Sequence, residues 1–379
     1  MPAPLRLSLF YAAFFLAGGV ALPFWPVWLA SRGLGPGEIG ALLAIGQWVK
    51  VAAFPVTGSL ADHSSDPRRF MLLLALVCVA GYFVCIKAQG FATLTLLNAL
   101  TVSCLASILP IGEALALSFA SLGKLQYGRV RMWGTLSFVL TTLVGGRILE
   151  GRGPDAILYL IIALTAFNIF ACALLPRAAT HLHDVAPGAW RNLLTGRNFV
   201  FLAMQTFNVA SHSVYYAFGS IQWQSQGYSD VAIAFLWAEG AMAEAVMFYF
   251  GARALARFGM APLMALGAAC GALRWTVLAF TASPILLILV QLCHAGTVAA
   301  VGVAGMAYLS RTVPPRYAAT GQAICSAVYS AVGLGVFMLA AGALYGAYGG
   351  KAYLAMAVLS ALSAGLALLL GRMAATTNS

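Results

Sequence analysis

Apolar runs separated by short polar joints repeat along the whole chain. A helix needs about 20 apolar residues to cross the hydrocarbon core of a bilayer, and the runs have this length. Glycine and proline mark most of the joints, as in GLGPG, GRGP, TASP and TVPP. The pattern predicts an all-α polytopic membrane protein with twelve transmembrane helices in two six-helix bundles. The predicted spans are 5–29, 37–60, 69–87, 91–119, 129–149, 155–176, 198–223, 230–256, 260–281, 284–309, 316–346 and 350–371.

The longest polar stretch, 176–197, separates the sixth predicted span from the seventh. It predicts an N-terminal bundle at 1–176, a cytoplasmic linker at 177–197 and a C-terminal bundle at 198–379. Two bundles around such a linker are typical of alternating-access transporters, whose site lies between the halves near the midplane. The span at 316–346 is longer than one crossing needs, so we expect it to tilt or bend near its glycines.

Composition and charge then narrow the class of protein. Hydrophobic residues make up 62% of the 379 residues and charged residues 8%, whereas soluble proteins carry about 25% charged residues. The net charge of +11 comes from basic residues in short loops that form no basic face, which favours anionic lipid over nucleic acid as their partner. Most of these residues fall on the side of the termini, so we expect both termini to be cytoplasmic, in an inner (plasma) membrane.

Signatures of catalysis and metal binding are missing from the sequence. It has no G-x-S-x-G or H-E-x-x-H motif, so we expect no enzyme, no catalytic residue and no cofactor other than a coupling proton. The seven cysteines lie inside apolar runs without a C-x-x-C pair, so we expect neither a disulfide nor a metal site. A channel or sensor would bring a pore-loop repeat or a partner domain, and the sequence has neither. The chain is expected to act as a monomer on a small-molecule substrate.

A carboxylate and a guanidinium flank one polar break. Glu113 lies in the fourth predicted span and Arg131 in the fifth, and their midpoint is Leu122, inside the break SLGKLQYG. If two antiparallel helices meet at this break, the two charges lie at similar depth and can pair. A charge at membrane depth is costly unless it pairs or meets water. A structural ion pair between two helices and a pair lining a polar path both fit the pattern.

Four more charges lie at membrane depth within predicted spans, namely Lys50, Glu239, Glu244 and Arg274. With Glu113 and Arg131 they balance in sign, which indicates pairing. The two glutamates in the eighth span are five residues apart, about 140° around a helix, so at most one of them faces a central cavity directly. We favour Glu244 for that position, because it lies deeper.

Two histidines within spans add groups that titrate near neutral pH, His212 and His294. His294 shares a helix face with Gln291, three residues earlier. His212 belongs to a stripe of polar and small residues at helical spacing in the seventh span. A lipid-facing stripe of this polarity is improbable, so it either packs against other helices or lines a substrate path. The stripe consists of Asn208, His212, Tyr215, Gly219 and Gln222.

Several motifs resemble the major facilitator superfamily in its lactose-permease-like branch, closest to the phenylpropionate-transporter group. ALPFWPVWL at 21–29 resembles the outer end of span one in that family, and GRVRMWG at 128–134 resembles the lactose permease segment. GSLADHSSDPRR at 58–69 resembles the loop-two signature, without its usual glycine before the basic pair. The resemblance covers the whole chain. It implies gating roles for Asp62, Arg68 and Arg69.

The resemblance also implies roles for the remaining charges. The spacing from Glu113 to Arg131 equals that of the permease's sugar-binding pair, and Arg274 and His294 fall on its proton-coupling network. The permease's coupling carboxylate in span ten is replaced here by Thr297. The resemblance therefore does not imply the complete set of proton-coupling residues of the lactose permease. SHSVYYAFGSIQWQSQGYS at 211–229 and LWAEGAMAE at 236–244 resemble the phenylpropionate pattern, which Glu244 fits and to which Glu239 is an addition.

The sequence thus predicts a secondary transporter that moves a small polar or anionic solute with protons, an aromatic carboxylate such as phenylpropionate being favoured. A proton-coupled sugar or nucleoside symporter and a drug/proton antiporter stay open as alternatives. The predicted substrate-binding residues are Glu113, Arg131, Lys50, Asn208, His212 and Tyr215. The predicted proton-coupling residues are Glu244, Arg274, His294 and Glu239.

Overall fold

The computed structural model describes residues 1–62, 64, 66–176, 196–313 and 318–375. Every regular element in these residues is a helix. The α-helices are α1 (Ala3–Ser31), α2 (Pro36–Asp62), α3 (Pro67–Cys85), α4 (Phe91–Ser121), α5 (Tyr127–Leu149), α6 (Asp155–Leu174), α7 (Gly196–Ala210), α8 (Ser213–Ser225), α9 (Asp230–Phe258), α10 (Met260–Phe280), α11 (Pro284–Gln291), α12 (Val301–Thr312), α13 (Ala318–Ser326), α14 (Leu334–Tyr348) and α15 (Tyr353–Ala375).

The described residues divide into two compact units. The first contains the residues up to 176 together with Gly227–Ala238, and the second contains 196–226 and the residues from Glu239 onward. In the first unit α1 packs against α5 and α6, and α4 packs against α2 and α3. In the second unit α15 packs against α7 and α10, and α14 packs against α8. The predicted bundles at 1–176 and 198–379 stay a prediction, and most of the predicted linker lies outside the described residues.

Ten stretches among the described residues are long and apolar enough to cross a membrane. Six of them correspond to the first six predicted spans, from Ala3–Ser31 to Asp155–Leu174. The difference from the predicted twelve arises in two places. The predicted seventh span is interrupted into α7 and α8, and Ile324–Met373 is one apolar stretch of 50 residues that covers the last two predictions. The polytopic all-α class is therefore present, while the count of twelve stays a prediction.

Local sequence explains where several helices begin. Asp66 caps α3: its side chain accepts a hydrogen bond from the backbone N–H of Arg68, and Pro67 occupies the first helical position, which needs no N–H donor. Gly259 joins α9 to α10 with a φ of 79°, a left-handed conformation that glycine adopts without a Cβ clash. These residues let long apolar helices follow each other after very short turns.

Regular α-helix is lost at three places in the second unit. Ser211 and His212 separate α7 from α8, and π-helical segments occupy Ala295–Ala300 and Ala327–Gly333. The last of these lies in the predicted span 316–346, where we expected a bend near glycines. Isolated π-helical turns and broken membrane helices occur frequently at functional sites. The first two irregularities both lie next to His294: the π-helical segment follows it directly, and the His212 ring lies 5.9 Å from its ring.

Candidate functional site

The predicted pair in the first unit is present. Glu113 on α4 and Arg131 on α5 approach to 3.6 Å between Oε1 and Nε, across the turn that follows Ser121. Their side chains are 35% and 30% exposed, so the pair is only half-buried. This distance is longer than an ordinary charge-assisted hydrogen bond of about 2.7–2.9 Å. The two charges therefore compensate each other through a contact that is looser than a direct charge-assisted hydrogen bond.

Aromatic rings from α1 surround this arginine. The guanidinium carbon of Arg131 lies 4.3 Å from the ring centroid of Phe15 and 5.4 Å from that of Tyr11. Tyr127, at the start of α5, meets Tyr11 edge-to-face with centroids 6.4 Å apart. Cation–π contacts hold the guanidinium beside the Phe15 and Tyr11 rings, and the Tyr127 side chain interacts with the same arginine.

Lys50 lies on α2 in the same unit. Its ammonium donates a hydrogen bond to Gln47 Oε1 at 2.8 Å, one turn earlier in the helix. No carboxylate among the described residues lies within 4.0 Å of it. Its hydrogen-bond partner is a neutral amide, so its charge stays uncompensated at close range. Among the three charges placed at membrane depth in this unit, Lys50 is then the excess positive charge, since Glu113 and Arg131 offset each other.

Arg274 is the centre of the second unit's cluster and is fully buried on α10. Its Nε and Nη2 donate to Gln291 Oε1 at 3.2 and 2.7 Å, and its Nη1 lies 2.9 Å from His294 Nδ1. The rings of Tyr215 and Trp275 each lie 4.5 Å from its guanidinium carbon. Hydrogen bonds and ring faces together hold this cation in one orientation.

His294 connects this arginine to a carboxylate. A guanidinium only donates hydrogen bonds, so His294 Nδ1 accepts from Arg274 and its Nε2 carries the proton. That Nε2 lies 3.4 Å from Glu244 Oε2. Glu244, His294 and Arg274 therefore form a chain in which the imidazole separates the two charges. A single ring therefore links the carboxylate of Glu244 to the buried cation of Arg274.

Glu239 occupies a different setting from Glu244. Its Oε2 is buried and makes no hydrogen bond within the described part of the chain. The neighbouring Gly240 packs beside the His294 ring, where an added Cβ would lie 3.5 Å from Cδ2. Glu244 is thus the glutamate that contacts His294, and its predicted position facing a central cavity stays a prediction.

The two helix irregularities meet through the polar stripe. Asn208 Nδ2 donates to the backbone carbonyl of Thr297 at 2.8 Å, and His212 Nε2 lies 3.0 Å from Thr297 Oγ1. Trp275 Nε1 donates to Ser211 Oγ at 3.2 Å. Asn208 and His212 are buried, so polar bonds link the broken α7–α8 segment to the π-helical turn beside His294. Their predicted contact with substrate, and that of Tyr215, stay predictions.

Two of the residues predicted to gate the cytoplasmic side, Arg68 and Arg69, contact Asp66. Arg68 binds Asp66, with Nε at 2.8 Å from Oδ1, and donates to the Leu175 carbonyl from Nη1 at 3.0 Å. Arg69 lies 3.9 Å from the same carboxylate. The Arg68 hydrogen bond holds the pKa of the Asp66 carboxyl below its ordinary value. Asp62 ends α2, and its side chain lies outside the described residues, so the gating role stays a prediction.

Several residues of these clusters were not singled out as site residues from the sequence. Tyr11 and Phe15 are four apart on α1 and so share a face, a signal hidden by the general richness of that span in aromatics. Gln291 shares a face with His294, and this spacing was the available signal for its role. Asp66 precedes Pro67, a pattern typical of a helix N-cap.

A helical polytopic architecture with a half-buried ion pair in one unit and a buried carboxylate–imidazole–guanidinium chain in the other is typical of a secondary transporter. A family model described as "MFS_1 like family" matches residues 4–356. The chain belongs to this family and is a transporter of the major facilitator superfamily, not an enzyme.

Curated relatives cover almost the whole chain. It is 29% identical over 368 residues to the "Probable 3-phenylpropionic acid transporter" of Escherichia coli (strain K12), covering 93% of this chain and 94% of the relative. It is 32% identical over 347 residues to the maltose permease of Geobacillus stearothermophilus, covering 86% and 83%. These matches confirm the resemblance noted from the motifs.

Solved structures confirm the fold. The nucleoside transporter NupG superimposes with a TM-score of 0.86 at 15% identity, covering 98% of this chain and 99% of that one. A bacterial homologue of the lysosomal transporter Spinster gives 0.78 at 14% identity, with coverage of 98% and 96%. The predicted all-α, major-facilitator-like class is therefore correct.

Proposed function

We propose that this transporter is a proton-coupled symporter of a small organic anion, an aromatic carboxylate such as 3-phenylpropionate being the favoured substrate. It works by alternating access in an inner (plasma) membrane with both termini in the cytoplasm. Glu113, Arg131 and Lys50 bind the substrate, and Glu244, His294 and Arg274 carry the coupling proton. The name of the Escherichia coli relative supports the substrate class.

The observation that carries the proposal is the chain Glu244–His294–Arg274. A proton-coupled carrier needs a buried group whose protonation is tied to a two-state element. Glu244 lies 3.4 Å from His294, which in turn accepts from a fully buried arginine. When Glu244 is ionised, the chain balances the charge of Arg274. When it is protonated, that balance is lost, so protonation changes the stability of this buried cluster.

The anionic class of the substrate rests on the first unit. Lys50 donates to a neutral amide, and Arg131 has a carboxylate only at 3.6 Å. A substrate carboxylate would neutralise the excess positive charge and accept hydrogen bonds from the guanidinium of Arg131. Charge-assisted hydrogen bonds of this kind contribute about 1.5–3 kcal/mol each.

The experiment compares an acid with its neutral ester. Purified protein should bind 3-phenylpropionate well and its methyl ester poorly. Lys50→Ala should weaken acid binding by about 1.5–3 kcal/mol and change ester binding little. Lys87→Ala, which removes an exposed lysine after α3, is the matched control and should bind like wild type. Equal binding of acid and ester to wild type would contradict the anionic class.

A neutral sugar is the second candidate, because the maltose permease relative is 32% identical. A mutually compensated Glu113–Arg131 pair also offers acceptors and donors for sugar hydroxyls. Maltose and a nucleoside belong in the same binding screen, since a ligand raises the unfolding temperature by mass action. Stabilisation by maltose and not by 3-phenylpropionate would favour this candidate. Substrate uptake without alkalinisation of the medium would contradict proton symport for either substrate.

A further inference from the structure

Gly134 lies one turn after Arg131 on α5, at the point where Phe15 from α1 approaches. A Cβ placed on this glycine would lie 2.7 Å from Phe15 Cδ2 and 2.9 Å from Arg131 Nη1. Both distances are shorter than real Cβ contacts allow, so a side chain here must displace the ring, the guanidinium or both. The missing Cβ is what lets the Phe15 ring lie 4.3 Å from the Arg131 guanidinium carbon.

The orientation of Arg131 depends on this contact. Arg131 lies 3.6 Å from Glu113, and the Tyr127 side chain also interacts with it. The rings of Phe15 and Tyr11 add lateral support to the guanidinium. A guanidinium recognises a carboxylate through two parallel N–H bonds in its plane, so the plane has to be set before a substrate carboxylate arrives.

We infer that Gly134 is a positioning residue for substrate recognition: it seats the Phe15 ring against Arg131 and thereby sets the preference for a carboxylate over a neutral group. The inference deepens the proposed function and rests on it. It extends the recognition site from the ion pair to α1 and assigns Phe15 a part in specificity. A substrate that binds through hydroxyl groups alone does not need a fixed orientation of the Arg131 guanidinium plane, because it does not form two parallel hydrogen bonds with it.

The same helix provides two matched controls. A Cβ on Gly145 would lie 2.8 Å from Val20 Cγ2, a similar steric conflict between the same two helices, and the atoms it would meet belong to Val20 and Leu160 rather than to the arginine. A Cβ on Gly128 would have nothing within 4 Å. Gly145→Ala therefore reports the effect of helix packing alone, and Gly128→Ala reports the effect of the methyl group itself.

The experiment measures the dissociation constants of 3-phenylpropionate and its methyl ester for purified wild type and the three alanine variants. Gly134→Ala should weaken acid binding about tenfold, the loss of roughly one charge-assisted hydrogen bond, and leave ester binding unchanged. Gly145→Ala should lower the unfolding temperature to a similar extent as Gly134→Ala while keeping the wild-type ratio of acid to ester affinity. Gly128→Ala should match wild type in both properties.

A second variant keeps the test valid if Gly134→Ala does not fold. Phe15→Leu removes the ring without adding atoms, and it should also lower the ratio of acid to ester affinity. An unchanged ratio in both Gly134→Ala and Phe15→Leu, with wild type preferring the acid, would overturn the inference alone. An equal affinity of wild type for acid and ester would overturn the proposed anionic substrate, and the inference with it.

Discussion

Each unit holds an arginine against two aromatic rings, and the two arginines differ in burial and in hydrogen bonding. Arg131 in the first unit is 30% exposed, touches two aromatic rings and has its carboxylate at 3.6 Å. Arg274 in the second unit is fully buried, and three of its nitrogens have acceptors within 3.2 Å. A partly exposed, loosely paired arginine suits an incoming ligand, whereas a buried arginine with satisfied donors suits a permanent charge. The difference supports our proposal that substrate recognition and proton binding belong to different units.

The largest expected effect is on substrate uptake and concerns Arg131, the half-buried arginine of the first unit. Arg131→Lys keeps the charge but lacks the planar fork, and Glu113→Gln removes the compensating carboxylate, so each should reduce uptake by about tenfold to a hundredfold. Uptake into proteoliposomes at matched protein amounts measures this loss. Arg147→Lys, on the exposed side of α5, is the control and should transport normally. Normal uptake by both Arg131→Lys and Glu113→Gln would show that the pair stabilises the fold and does not bind the substrate.

The next prediction concerns the proton chain. Glu244→Gln mimics the protonated acid, so it should abolish uphill accumulation while substrate counterflow continues. Glu239→Gln serves as the comparison, because that carboxylate has no hydrogen bond to Oε2 among the described residues. It should keep accumulation. Accumulation by Glu244→Gln and its loss in Glu239→Gln would move the coupling role to the other glutamate.

A smaller effect on stability is expected from the two glutamines that accept hydrogen bonds from Arg274 and Lys50. Gln291→Leu removes the acceptor of two N–H groups of a buried arginine and should lower the free energy of unfolding by about 1.5–3 kcal/mol. Gln47→Leu removes the acceptor of one hydrogen bond from Lys50, which is only partly buried, and should have less than half of this effect. Thermal unfolding in detergent compares the two. An equal loss for both variants would contradict the difference in burial.

The smallest effect lies outside the membrane-spanning helices, at the α3 cap. Asp66→Ala should lower the free energy of unfolding by about 1 kcal/mol, and Asp66→Asn by less, because asparagine also caps helices. Since the pKa of Asp66 is lowered in the folded state, its contribution is complete at neutral pH and is lost only as the pH falls below the ordinary aspartate value. Unfolding temperatures at several pH values should therefore fall further for wild type than for Asp66→Asn. Identical pH profiles would contradict this.

Sequence patterns located the charged clusters better than the backbone around them. The symmetry of Glu113 and Arg131 about a polar break predicted their contact, because two apolar runs joined by a short turn have few alternatives. The interruption at Ser211 and His212 and the π-helical turn after His294 were missed. Neither stretch contains proline, and both are held by tertiary hydrogen bonds such as that from Asn208 to the Thr297 carbonyl. Helical periodicity alone contains no signal for such bonds.

Proton uptake on substrate binding tests the division of roles most directly. Purified protein in weakly buffered detergent with a pH-sensitive dye would be mixed with 3-phenylpropionate. Wild type should bind the acid and take up protons, and Glu244→Gln should bind it without taking up protons. Arg131→Lys should do neither. Proton uptake that persists in Glu244→Gln, or a loss of binding in that variant, would contradict the assignment of recognition to the first unit and protonation to the second.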